Sequence, residues 1–456
     1  MPSDFVLVPV IDEGLGNSTY LLDLGDGRAM VLDPERDVRQ VRTEARRRGL
    51  RIAYAVETHM HADFISGVRE LAESDGATVL APEVGARGFE VTGMSDGDTV
   101  ALGPFTLQAL ATPGHSPEHL SYLLHEDAQL LGVFTGGSLM VGTAGRTDLV
   151  SPDQTVPLAR AQYHSLQRLM ELPDDTPVWP THGAGSFCSS AVGTERVSTI
   201  GKERATNPLL QVDGEDAFVD ALLGSLGSFP DYFLRLGEVN HKGPAVLGAT
   251  LALPALTSAA VGDLLADGAQ VVDARQPAAF AAGHIPGALS ITLRPVFATW
   301  LGWLTDPNRP LVIVRADDQN ATDIAWEAAK VGFDTVAGEL RGGMAAWTGP
   351  VEAGTVELLD AERLATDAPV TVLDIRQAGE FAAGHALGAR NIELGALAQN
   401  LLELPDGPVA VMCGHGERAM SAASILEAAG RTDVRVLAGH PADYTRALGK
   451  QWQAES

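Results

Sequence analysis

The second half of the chain is written twice. Asp273-Ala274-Arg275 is followed by FAAGHIPGA at 280–288, and Asp374-Ile375-Arg376 by FAAGHALGA at 381–389. Positions 273, 275, 284 and 287 recur at 374, 376, 385 and 388, each 101 residues later. Such a spacing is that of one domain copied in tandem, so this half is expected to fold as two similar units. Each copy continues into an apolar run, PLVIV (310–314) and PVAVM (408–412). A loop follows, then an Ala-rich segment, ATDIAWEAAKVGF or AMSAASILEAAGR. Strand, loop and helix in that order predict parallel α/β units.

The two loops differ where chemistry would sit. The second is Cys413-Gly414-His415-Gly416-Glu417-Arg418, and the first is Arg315-Ala316-Asp317-Asp318-Gln319-Asn320. A thiol between a buried strand and a helix N-terminus meets backbone N–H groups that favour the thiolate. Arg418 adds a cation. A packed structural cysteine is the plainer alternative. DxR…FxxGHxxGA followed by CxxxxR resembles the rhodanese (sulfurtransferase) family. The resemblance implies that Cys413 carries sulfane sulfur as a persulfide, with Arg418 as its partner. The first copy ends in the rhodanese-like LRGGMAAW (340–347) but has Arg315 at the nucleophile position. It is read as a structural or docking domain.

The N-terminal half poses a different question at THMHADF (58–64). IAYAVE (52–57) before it reads as a buried strand, which puts His59, His61 and Asp63 in a loop at a strand end. FTLQALATPGH (105–115), LLGVFTGG (130–137) and TPVWPTHG (176–183) end on His115, Gly137 and near His182. Strands delivering polar ends to one edge build a site, and imidazole with carboxylate suits zinc or non-haem iron. His119, His125 and His164 lack this context and are read as surface or structural residues.

THxHxD…TPGH…FTG…GRTD…PTHG resembles the metallo-β-lactamase fold, an αββα sandwich, and more closely its persulfide dioxygenase branch. ETHMHADF (57–64), GRTDL (145–149), PTHGAGSFC (180–188) and TIGKERATNP (199–208) support that branch. The resemblance implies one Fe(II), with Zn(II) as the alternative, held by His59, His115 and an aspartate after FTG. Gly137 stands at that last position, so the site is expected to be weak. His61 joining His59 and His115, Asp63 or a water, or an anionic persulfide substrate would each replace the missing ligand. Phe64 occupies a second-metal ligand position of the broader fold, which argues against a two-metal hydrolase. Arg146 is expected either to bind a carboxylate of a thiol cofactor or to pair with Asp148. Cys188, like His182 and Asp63, is placed near the substrate, with a packed small residue as its alternative.

The fold class is therefore α/β and multidomain: a sandwich over 1–250, a cysteine-free rhodanese-like domain over 255–350, and a second over 356–456 with Cys413. GSFPDYFLRLGEVNHKGP (227–244) reads as the irregular connection before the first boundary. With 32 basic and 59 acidic residues the net charge is −27, which repels nucleic acid and anionic membranes. No apolar run is long enough for a membrane helix, and MPSDFVLVPVIDEG does not read as a signal peptide. Two cysteines argue against a disulfide framework and fit a reducing cytoplasm. The expected enzyme oxidises a small-molecule thiol persulfide at a metal and moves sulfur from persulfide or thiosulfate at Cys413. The alternatives are a sulfurtransferase with a metal-poor binding domain, or a metal-dependent thioester or lactone hydrolase. The oligomeric state, a homo-oligomer included, is left open by the pattern.

Overall fold

The computed structural model describes residues 5–188, 194–248, 250–366 and 370–454. The chain divides into two compact units, residues 1–251 with 326–334, and residues 252–325 with 335–456.

The first unit holds two six-stranded sheets. One runs in chain order through Leu7–Asp12, Asn17–Asp23, Arg28–Leu32, Arg51–Val56, Thr78–Pro82 and Thr92–Met94. Its first three strands pair antiparallel and the rest parallel. The other orders Ser198–Thr199, Pro177–Pro180, Gln129–Gly136, Leu120–Glu126, Phe105–Ala111 and Thr99–Leu102. Leu22, Leu32, Val56 and Leu80 meet Leu107, Tyr122, Leu124 and Phe134 in one buried layer between the sheets. The outer face of the first sheet buries Val31, Ile52 and Ala55 against Val41, Val68 and Leu71, which lie on helices Arg39–Arg47 and Val68–Asp75. The outer face of the second buries Val133 and Val178 against helices Pro152–Leu169 and Glu215–Ser225. This is an αββα sandwich. Strands buried on both faces have to be apolar along their length, which is why they read as continuous runs.

The second unit carries two five-stranded parallel sheets of one topology. The first orders Ala255–Leu256, Gly338–Leu340, Leu311–Val314, Gln270–Asp273 and Leu289–Ser290. The second orders Glu357–Leu359, Val434–Leu437, Val409–Met412, Thr371–Asp374 and Arg390–Asn391. In each copy the DxR arginine folds back on its own aspartate, Arg275 on Asp273 and Arg376 on Asp374, and also binds a glycine carbonyl, Gly283 or Gly384. The repeated motif is thus a turn-closing ion pair that holds the strand end.

One expectation is overturned. Residues 227–244 are not an irregular connection, because Phe233–Lys242 forms an α-helix. Phe233, Leu236 and Asn240 bury one face of it at i, i+3 and i+7. Gly237 and the polar residues between them mask that stripe in the sequence.

Candidate metal centre and sulfur-transfer loop

Three strands of the sandwich stop just short of one point. Arg51–Val56 leads to His59 and His61, Phe105–Ala111 to His115, and Pro177–Pro180 to His182. All four histidines are buried. His59, His115 and His182 each offer one donor atom, and these lie within 4.8 Å of one another.

The neighbours decide which nitrogens carry protons. Thr58 Oγ1 gives its hydrogen to the Asp33 carboxylate at 2.7 Å, so toward His59 Nδ1, 2.8 Å away, it accepts. His115 Nδ1 donates to the Arg146 carbonyl at 2.8 Å. Asn17 donates through Nδ2 to Asp63 at 2.8 Å, which leaves its Oδ1 to accept from His182 Nδ1 at 2.7 Å. In its neutral form each imidazole therefore has its proton on Nδ1 and a bare lone pair on Nε2. The bare Nε2 atoms of His59 and His182 face each other at 3.3 Å. Two lone pairs at that separation repel unless a proton or a cation lies between them. Burial and the neighbouring imidazoles hold His59 far below its ordinary pKa, and burial with His182 brings His115 down to about 3. His59 and His115 are thus neutral, and three Nε2 atoms brought together while each Nδ1 is tied to a neighbour are the donor chemistry of a divalent metal site, so these residues fit the group the sequence implied.

His61 is in a different situation. Its ring stacks on Phe64 with centroids 4.2 Å apart, and Nε2 lies 3.2 Å from Asp33 Oδ1, in ion-pair range but off the hydrogen-bond direction. Burial opposes its charge, but Asp33, Glu57 and Asp63 outweigh that and raise its pKa. It shares donor sets with Asp33 and His59, and with Asp63 and His182. Phe64 is wholly buried against it.

Gly137 is explained by packing. A Cβ there would stand 2.1 Å from His115 Cδ2, so the imidazole fills the space a side chain would need. The Gly137 N–H donates to His119 Nε2 at 2.9 Å. His119 is therefore buried and structural rather than a surface residue. His125 is half-buried and His164 exposed.

Sequence reasoning missed Asp33, Asn17 and Asn240. Asn240 donates to the carbonyls of His61 and Phe64 at 2.7 and 2.8 Å and accepts from Ser66 N at 2.9 Å, so it clamps the whole HxHxDF loop. Its partner lies about 175 positions upstream, where no local pattern reaches. Asp33 had one available signal, a carboxylate directly after the apolar strand Arg28–Leu32.

Arg146 pairs with Asp148 at 2.7 and 2.8 Å and also binds the Phe187 and Gly227 carbonyls, the structural alternative. Cys188 is fully buried, and burial with the nearby Asp63 charge pushes its thiol pKa well up. That is the setting of an inert thiol.

In the second unit, Cys413 follows strand Val409–Met412 and precedes helix Glu417–Ala428. Its Sγ accepts N–H groups from Gly416 at 3.1 Å and Ala419 at 3.3 Å. Gly416 has φ +105°, which turns its amide inward and which side chains rarely adopt. Arg418 forms a two-pronged pair with Glu380 at 2.6 and 2.9 Å. Gly414, His415 and Gly416 line a cavity of about 530 Å³. In the first copy Arg315 binds Glu339 and the Gln319 carbonyl, so its side chain occupies its own loop.

Comparison with known proteins bears on both halves. A profile described as the metallo-beta-lactamase superfamily matches residues 12–182, and one described as a rhodanese-like domain matches 257–350 and 357–447. The Homo sapiens protein "Persulfide dioxygenase ETHE1, mitochondrial" is 32% identical over 208 residues, 43% of this chain and 73% of its own length. The chain belongs to the metallo-β-lactamase superfamily. Persulfide dioxygenases are among its relatives, and two rhodanese-like domains follow, which makes it an enzyme of these types. Within the superfamily, "Hydroxyacylglutathione hydrolase" of Gloeobacter violaceus is 33% identical over 210 residues, 40% of this chain and 79% of its own length. The crystal structure of a metallo-beta-lactamase from Staphylococcus aureus superposes with a TM-score of 0.67 at 27% identity, covering 74% of this chain and 99% of that one.

Proposed function

We propose that the sandwich binds one divalent metal at His59, His115 and His182 and oxidises low-molecular-weight thiol persulfides there, while Cys413 transfers sulfane sulfur. The observation that carries the reading is the trio of bare Nε2 atoms held by Thr58, the Arg146 carbonyl and Asn17. Bound Fe(II) would supply the oxygen-activating chemistry. The chain itself fixes the three rings, excludes bulk water by burial, and keeps Asp63 charged beside His182. The net reaction consumes one persulfide, one O₂ and one water. It yields one thiol, one sulfite and two protons, the outer sulfur supplying the electrons.

At Cys413 the thiolate would attack the outer sulfur of thiosulfate or a persulfide. The donor S–S bond breaks, sulfite or thiolate leaves with its electron pair, and Cys413 holds a persulfide until a thiol or sulfite acceptor takes the sulfur. The Gly416 and Ala419 amides support negative charge on Sγ throughout.

Gly137 favours a second reading. Three imidazoles without a carboxylate suit zinc, and a single zinc would make the site hydrolytic toward a thioester. Oxygen uptake and sulfite formation with glutathione persulfide and benzyl persulfide separate the two, since hydrolysis consumes no oxygen. Cys413→Ser is expected to abolish thiosulfate:cyanide sulfur transfer and leave oxygen uptake in place. Transfer that survives the exchange would remove Cys413 from the reaction.

A further inference from the structure

Beside His115 opens a cavity of about 360 Å³ whose walls come from five separate stretches of the first unit. Large apolar side chains dominate it. Val84, Val150 and Leu234, at its rim, are 77%, 48% and 62% exposed. Among the described residues nine large apolar side chains stand in water, three of them collect at this one opening, and His115 lines its wall. Exposed apolar groups gathered around a concavity mark a binding site rather than solubility.

The charges around it are equally one-sided. No lysine or arginine lines the cavity among the described residues. Its one carboxylate is Glu118, held in place by the Met60 amide at 2.7 Å and Ser116 Oγ at 2.8 Å. The nearby guanidiniums are engaged elsewhere, Arg146 with Asp148 and Arg87 with Glu57. A carrier such as glutathione, with two carboxylates against one ammonium, would bring a net negative charge to a mouth that offers no lysine or arginine and one fixed carboxylate. Repulsion of that kind is how a site rejects a ligand.

We infer that the persulfide taken by this site carries an uncharged, apolar organic group, which lies across Val84, Val150 and Leu234 with the sulfur end directed at His115. This rests on the persulfide reading above and narrows its substrate. Covering the rim would also remove its apolar surface from water.

The test uses the full chain with benzyl persulfide and glutathione persulfide as substrates. It also measures binding of their product thiols, benzyl mercaptan and glutathione, by calorimetry. Benzyl persulfide is expected to give a kcat/KM at least about tenfold higher, and benzyl mercaptan to bind the tighter of the two thiols. Leu234→Lys lies on an exposed position. It should weaken benzyl mercaptan and strengthen glutathione, each by roughly tenfold, with an unchanged melting curve. Faster turnover and tighter binding of the glutathione forms overturn the inference and leave persulfide oxidation standing. If neither persulfide is consumed, the oxidation reading fails, and the two thiol affinities still decide what the cavity accepts. Equal affinities there, or an apolar peptide displacing benzyl mercaptan with no thiol preference, also overturn it.

Discussion

At the scale of single residues, the site is built by partners that hold imidazoles rather than by the imidazoles alone. Asn240→Ala would leave the His61 and Phe64 carbonyls and the Ser66 amide without their partner. The expected cost is about 2–3 kcal/mol in a denaturant titration, with roughly a tenfold loss of metal affinity. A loss confined to stability would limit Asn240 to packing. Gly137→Asp looks in the sequence like the repair of a decayed iron site. The geometry predicts the reverse, because the new Cβ meets the His115 ring. Metal affinity should fall by at least about tenfold, read by competition with a chelator, and a gain would mean that the ring moves aside. Both cysteines are buried, but amides of Gly416 and Ala419 point at Cys413 Sγ while burial and Asp63 keep Cys188 protonated, so iodoacetamide should modify Cys413 well before Cys188 in the native protein. The H-x-H pair, His115 and Cys413 were legible from spacing and strand ends. The tautomers were not, since they depend on Thr58, Asn17 and a backbone carbonyl that only folding brings within hydrogen-bond distance.

Among the elements, the strands were the readable part. IAYAVE, LLGVFTGG and PVAVM are continuous apolar runs because both faces of their sheets are covered, and each ends where its polar residues begin. The helix Phe233–Lys242 was not readable, since its buried face is only three residues wide and a glycine interrupts it. Residues 326–334 lie within the stretch 257–350 that matches a rhodanese-like domain and pack with the first unit. There the Lys330 carbonyl accepts from Ile65 N at 2.7 Å, and Asp334 pairs with Arg36 at 2.6 Å. The Lys330 ammonium lies among Asp12, Glu327 and Glu35, whose charges outweigh burial and raise its pKa. Lys330→Met strips the cation from three carboxylates and is expected to destabilise the first unit by roughly 3–5 kcal/mol in urea melts. A change under about 1 kcal/mol would show that water already screens this group.

For the whole molecule, the 101-residue repeat gave the second unit its two similar sheets, and the same strand order appears in both. The copies differ at the reacting position, where Arg315 closes its own loop, while the DxR ion pair holds the strand end in both. The net charge of −27 says little about the fold and matters for the ligand, since an acidic surface disfavours anionic carriers. Among the described residues no helix is long and apolar enough to cross a membrane. On the proposed reading, His59, His115 and His182 together hold the metal. Elemental analysis of anaerobically purified protein, beside His182→Ala and His61→Ala, tests it most directly. About one metal per chain is expected in the parent, retained in His61→Ala and lost in His182→Ala. A metal that stays in His182→Ala and leaves with His61→Ala would contradict it.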